Sequence, residues 1–222
     1  MDQTNLEFFE AAASGDFAKV CAQVAKGADV NVRNGDGRSA LMRSAKRGYE
    51  DIVRFLLDNG ADARARDKNN KTPLMGAAKK GHVEICRMLV HAGADVNSHD
   101  NRGRTALMRA ALLGEDEVVK YLVEKGADVN AADDQGRTAL MEATTSYKMD
   151  IIGYLIENGA DVNAVDTKGC TALMRAAYIG YPELVQFLLD HGADKNITDH
   201  NANMAIHYVR KECLADLKDI LK

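Results

Sequence analysis

Six histidines, four cysteines and a recurrent aspartate are the side chains here able to ligate a metal, attack as a nucleophile or move a proton. Their spacing supports none of that chemistry. His82, His91, His99, His191, His200 and His207 pair with no cysteine at zinc spacing, and Cys21, Cys86, Cys170 and Cys213 form no C-x-x-C. His99–Asp100 is an adjacent pair that a surface metal could use, and such pairs arise by chance. No H-E-x-x-H, G-x-S-x-G, Walker A or G-x-G-x-x-G occurs. The expectation is a protein that is not an enzyme and has no cofactor and no metal. What does carry spacing is positive charge. Arg38, Arg43, Lys46 and Arg47 are followed by Lys68, Lys71, Lys79 and Lys80, and Lys46 and Arg47 lie 33 residues before Lys79 and Lys80. Multiples of the same offset lead to Arg109, Leu112 and Leu113, to Glu142, Thr145 and Ser146, and to Arg175, Tyr178 and Ile179. Cations attract anions, and apolar pairs beside them offer anchors for a partner.

The offset is the period of the whole chain. GADVN recurs at Gly27, Gly93, Gly126 and Gly159, with GADAR at Gly60 and GADKN at Gly192. Between these tails stand the heads SALMRSA from Ser39, TPLMGAA from Thr72, TALMRAA from Thr105, TALMEAT from Thr138 and TALMRAA from Thr171. Units therefore start at Met1, Asn34, Asp67, Asp100, Asp133, Asp166 and Asp199, the last cut short at Lys222. Each head opens with a hydroxyl suited to cap a helix, and Pro73 falls in a first turn, where a missing N–H costs nothing. Leu and Ala at helical spacing follow, small residues allowing close approach of neighbouring helices. Gly48, Gly81, Gly114 and Gly180 end that helix. A second apolar-periodic stretch then runs to Gly-Ala-Asp, and Asp-x-x-Gly reads as a turn joining units.

A period of 33 with this head and tail resembles the ankyrin repeat. The resemblance covers essentially the whole chain. It implies an all-α solenoid of six full units and a truncated C-terminal one, helix pairs being joined by hairpin turns. We expect one domain over 1–222, with 1–33 an N-terminal capping repeat, 34–198 five internal repeats and 199–222 a C-terminal capping repeat. Such caps imply a complete module without an attached catalytic domain. Seven layers about 8–10 Å apart make an elongated body roughly 50–60 Å long. Three departures stand out. Met42, Met75, Met108, Met141 and Met174 replace the family's histidine, and we read them as packing. Tyr147 replaces the glycine between helices; the turn is either rebuilt or strained, and we expect it rebuilt. Ala63-Arg64 replaces Val-Asn, loosening the joint between the second and third units.

The resemblance further implies a concave groove lined by the hairpins and the non-core face of each first helix. Its expected partner-binding residues are Arg38, Arg43, Lys46, Arg47, Lys71, Lys79, Lys80, Arg109, Leu112, Leu113, Arg175, Tyr178 and Ile179, with Asp36 as the one acid at those positions in the second and third units. Glu50, Asp51, Glu84, Glu117, Glu124 and Glu157 fall instead on second helices, so a chain of net charge −4 acquires a basic groove and an acidic back. This points to a protein-interaction adaptor or scaffold whose partner is another protein, an acidic segment with apolar anchors. Nucleic acid and membrane are not expected as partners, and the protein is expected to be monomeric. The alternative is a sensor of nucleotides or other phosphate-bearing ligands on Lys71, Lys79 and Lys80, without a Gly-rich cradle to support it. Unpaired cysteines, no leader and no run of 18 apolar residues suggest a cytoplasmic location.

Overall fold

A computed structural model describes residues 2–222. Its helices come in consecutive pairs: α1 Gln3–Ser14 with α2 Phe17–Ala25, α3 Ala40–Arg47 with α4 Glu50–Asp58, α5 Pro73–Ala78 with α6 Val83–His91, α7 Ala106–Leu113 with α8 Asp116–Glu124, α9 Ala139–Thr145 with α10 Met149–Glu157, and α11 Ala172–Ile179 with α12 Pro182–Asp190. Two short 3₁₀ turns, Ala205–Tyr208 and Lys211–Cys213, lead into α13 Leu214–Leu221. Among the described residues there is no strand, only isolated bridges Arg33–Ser39 and His99–Thr105, and no helix is long and apolar enough to cross a membrane.

The two helices of a pair start for different reasons. Ser39, Thr72, Thr105, Thr138 and Thr171 each accept a hydrogen bond from the backbone N–H three residues on, at 3.2–3.4 Å, satisfying a donor the helix cannot. Met204 has no hydroxyl, and the turn after it is 3₁₀. The second helices of the internal pairs have no side-chain cap. They carry acids in the first turn instead, Glu50 and Asp51, Glu84, Asp116 and Glu117, Asp150, Glu183, where the helix dipole favours negative charge. The acids of the second helices are thus in part a helix-start device.

First helices pack on first helices from α1 to α11, and second helices on second helices, leaving one continuous core. Leu41, Leu74, Leu107, Leu140 and Leu173 are fully buried, with Ala45, Ala77, Ala110, Ala143 and Ala176 between them. The methionine column is buried too, from 1% exposure at Met141 and Met174 to 8% at Met42, so it packs as expected. Side chains stitch successive layers. Asn31, Asn97, Asn130 and Asn163 each donate to a glycine carbonyl 29 residues on and accept from an aspartate N–H 31 residues on. Arg64 keeps half of this: its Nε donates to the Gly93 carbonyl at 2.7 Å, but it offers the Asp95 N–H no acceptor. The joint expected to be loose lacks one bond of this stitch, but Arg66 adds two across it, donating to the His99 carbonyl at 3.2 Å and to the Ser98 hydroxyl at 3.0 Å.

At Tyr147 the expectation of a rebuilt turn is wrong. Tyr147 keeps the left-handed conformation of the glycines it replaces, φ 54° against 85° at Gly48 and 79° at Gly114. Those glycines also make room: a Cβ on Gly48 would lie 2.7 Å from the His82 ring. Where tyrosine stands instead, the following turn supplies Tyr181, and the two rings meet at 4.4 Å between centroids. The strained turn is thus covered by a tilted ring pair, at 33° between planes.

The candidate partner-binding groove

The residues lining the hairpin side of the first helices descend from three sequence decisions: the threonine that starts each helix, the aspartate that ties each hairpin, and the residue nine after that aspartate. Asp67, Asp100, Asp133, Asp166 and Asp199 each accept two backbone N–H bonds with Oδ1, from residues two and four further on. Their Oδ2 faces the groove. Asp100 pairs with Arg109, Asp166 with Arg175 at 2.6 Å, and Asp199 accepts from the Tyr208 hydroxyl at 2.6 Å. Burial alone would raise the Asp100 carboxyl, but the N–H groups of Arg102 and Arg104 and the Arg109 guanidinium outweigh it and hold it below the usual range. Asp133 is likewise held low, burial being outweighed by the Arg137 N–H and guanidinium and the Gln135 N–H. The Tyr208 hydroxyl is the largest influence lowering Asp199, and Tyr208 is raised in return.

The hairpin carboxylates thus give some of the expected basic residues partners within the chain. Arg38 lies 3.2 Å from Asp36 and 3.6 Å from Asp67. Arg38, Arg109 and Arg175 therefore act mainly as internal partners of hairpin carboxylates. Glu142, which replaces arginine in the same series, is buried beside Arg104 and Arg137 at 4.0 and 3.7 Å. Among the described residues, Arg43, Lys46, Arg47, Lys71, Lys79 and Lys80 are in no ion pair. Arg43 lacks a carboxylate partner because its unit begins with Asn34 where the later units have aspartate. Its Nε is buried without a hydrogen-bond partner and its guanidinium sits 5.7 Å from the Phe9 ring.

Four of these cations, Arg43, Lys46, Lys71 and Lys79, converge on a cavity of about 150 Å³ above Gly76. Met42 and Met75 contribute to its lining, and Arg38, Asp67 and Arg109 complete the wall. Burial, and then the charges of Lys79, Arg38, Lys80 and Arg43, hold the Lys46 ammonium below the usual lysine value. Arg47 and Lys80 are exposed and do not line the cavity. Gly76 escaped the sequence reading. Its signal was present, since it occupies the position that holds Arg43, Arg109 and Arg175 elsewhere, but a missing side chain draws no notice in a search for functional groups.

Toward the C-terminus the surface turns apolar. Leu113 and Tyr178 are exposed at 42% and 59%, whereas Leu112 and Ile179 are half-buried. Lys79, Met108, Leu112 and Leu113 share a small cavity of about 40 Å³ with Arg104, Arg109 and Glu142. A larger one, about 480 Å³, is lined by Met174, Arg175, Tyr178, Ile179, Cys170 and Tyr208 among others. The Cys170 thiol and the Tyr208 hydroxyl lie 3.1 Å apart. Sequence reasoning missed both residues although both hold groove positions, Cys170 that of Arg38 and Lys71 and Tyr208 that of Arg109 and Arg175, because neither carries the charge looked for at those positions.

Two family models match the chain, ankyrin repeats (3 copies) over residues 8–100 and 130–199 and ankyrin repeats (many copies) over 89–143. No curated protein matches it. Ankyrin repeats are generally protein–protein interaction modules without catalytic activity. The threonine-capped first helices, the aspartate-tied hairpins, the layer-to-layer asparagine stitches and the two family matches together place this chain in the ankyrin repeat family.

Proposed function

We propose that this ankyrin domain is an adaptor that binds an acidic segment of another protein along its hairpin-side groove, with apolar anchors seated near the C-terminal end. The observation that carries the reading is the division of the groove. Unpaired cations crowd around α3 and α5, and an apolar cavity opens beside α11. Arg43, Lys46, Arg47, Lys71, Lys79 and Lys80 would supply encounter rate and register, and Leu113, Tyr178 and their neighbours Leu112 and Ile179 the buried contact. Arg38, Arg109 and Arg175 would shape the walls through their own carboxylates. The two cavities are three layers apart, about 25–30 Å at helix-packing distances. An extended segment covers that span in about eight or nine residues. The alternative, a nucleotide sensor on Lys71, Lys79 and Lys80, is less well supported, since Lys80 does not share the cavity that Lys71 and Lys79 line.

The test is selection of random displayed peptides on the immobilised protein, followed by binding kinetics. Charge reversal at Lys46, Arg47, Lys79 and Lys80 is expected to slow association at low salt and much less at high salt. Leu113→Ala and Tyr178→Ala are expected to speed dissociation, each by about 1–3 kcal/mol if they are buried anchors. Glu117→Lys with Glu124→Lys should leave binding unchanged. Peptides that lose binding only with the Glu117 and Glu124 changes would move the site to the opposite face and overturn the reading.

A further inference from the structure

The cavity above Gly76 is a position where this chain departs from its own pattern in two ways at once. The residue nine after the hairpin aspartate is Arg109, Glu142, Arg175 or Tyr208 in later units, a long side chain reaching across the groove. Gly76 reaches nowhere, and the space is left open. In the preceding unit Arg43 has the long side chain but not the carboxylate to hold it, because Asn34 replaces aspartate. One vacancy and one guanidinium without a carboxylate thus fall side by side, and Lys46, Lys71 and Lys79 close around them. The Gly76 backbone angles do not require glycine, since Gly76 is absent from the residues at positive φ and lies within α5, although a Cβ there would lie 3.3 Å from the Lys46 Cβ and α3 would have to give by a few tenths of an ångström.

We propose that this cavity seats a phosphorylated side chain, a phosphoserine or phosphothreonine, of the segment the groove binds; the inference rests on the adaptor reading and specifies one residue of the partner. Charge decides between candidate anions. Four cations without a carboxylate partner face the cavity, against one carboxylate in its lining, Asp67, which Arg38 faces at 3.6 Å, and a side-chain carboxylate would neutralise one of the four. A phosphomonoester carries about −1.5 to −2 at neutral pH and presents three acceptor oxygens, enough for several of the four at once. The lowered Lys46 value is consistent with this, since part of it comes from neighbouring cations that a dianion would offset. Met42 and Met75 in the lining give the methylene and methyl groups of such a side chain an apolar contact.

The cavity can be tested without knowing the partner. The protein is labelled with ¹³C at its methionine methyl groups and titrated with N-acetyl-O-phosphoserine amide. The Met42 and Met75 methyl resonances are expected to shift and saturate, while those of Met141 and Met174 stay in place. N-acetylglutamate amide and inorganic phosphate serve as comparison probes and are expected to bind at least about fivefold more weakly, since each lacks either the second charge or the side-chain contact. Gly76→Arg fills the cavity while adding a positive charge. A seat of defined shape predicts loss of saturable binding, whereas diffuse attraction to a basic surface predicts tighter binding. Lys46→Met with Lys79→Met leaves Gly76 untouched and is expected to weaken the phosphoserine probe about tenfold or more, as for loss of charge-assisted bonds. Linear drift without saturation, equal binding of the glutamate probe or of inorganic phosphate, or undiminished binding to folded Gly76→Arg would each overturn the proposal. Should displayed peptides still occupy the groove in that event, only the phosphorylated residue falls and the adaptor reading stands.

Discussion

Tyr147 shows how one residue can hold two opposed effects. Its left-handed backbone costs a non-glycine residue about 1–2 kcal/mol, while its ring contact with Tyr181 returns about 0.5–1.5 kcal/mol. Tyr147→Gly is therefore expected to change stability by less than about 1 kcal/mol, the two effects cancelling. Tyr181→Ala alone should destabilise, and a double-mutant cycle from urea denaturation should give a coupling of about 0.5–1.5 kcal/mol. Zero coupling would mean that the rings do not support each other. The hairpin aspartates act at the same scale. Asp100 and Asp133 are held below the usual carboxylate range in the folded chain. Their contribution is complete above the unfolded value of about 3.9 and is lost as pH falls through the lower folded values. Melting temperature followed downward from pH 6 should drop steeply below about pH 4. Asp100→Asn with Asp133→Asn should lower the plateau and flatten the drop.

Between elements, the joints differ in quality, and α4 to α6 is the joint with an incomplete stitch. Arg64 keeps the bond to the Gly93 carbonyl and leaves the Asp95 N–H without the acceptor that Asn31, Asn97, Asn130 and Asn163 provide elsewhere. Arg64→Asn restores both halves and is expected to stabilise by about 0.5–1.5 kcal/mol, the net worth of one hydrogen bond, read from the denaturation midpoint. No gain would show that the stitch is saturated by water. The methionine column fixes how closely first helices pack. Met108 is 3% exposed between α5 and α9, and Met108→Ala is expected to cost about 2–5 kcal/mol through the cavity it leaves. A loss under 1 kcal/mol would mean that neighbouring layers collapse to fill it.

For the whole molecule, each layer touches only its neighbours, so the chain extends in one direction. Small-angle scattering is expected to give a radius of gyration clearly above the roughly 17 Å of a compact domain of this length. The same packing sets thiol reactivity. Cys86 is fully buried between layers and burial pushes its thiol up to about 12, whereas Cys21, Cys170 and Cys213 are partly accessible. Iodoacetamide at pH 8 should alkylate Cys86 last, at a rate that follows denaturant, because thiolate and access both require opening. Early modification of Cys86 in native protein would mean that its layer opens locally.

The period, the capping hydroxyls, the glycine stops and the buried leucine and methionine columns were all legible in the residues. Each is a local rule repeated every 33 positions, and repetition turns a weak preference into a clear signal. Position in the period also located Leu113 and Tyr178 on an exposed face. What the sequence left open depends on which groups meet across units. Arg38, Arg109 and Arg175 look as free as Lys46 and Lys79 until folding brings hairpin carboxylates against them. Tyr147 looks incompatible with a glycine turn until Tyr181 is placed over it. Gly76 and Asn34 are ordinary letters when read alone. Only stacked layers turn their missing side chains into a vacancy ringed by unpaired cations, because charge compensation is decided by distance in space and not by spacing along the chain.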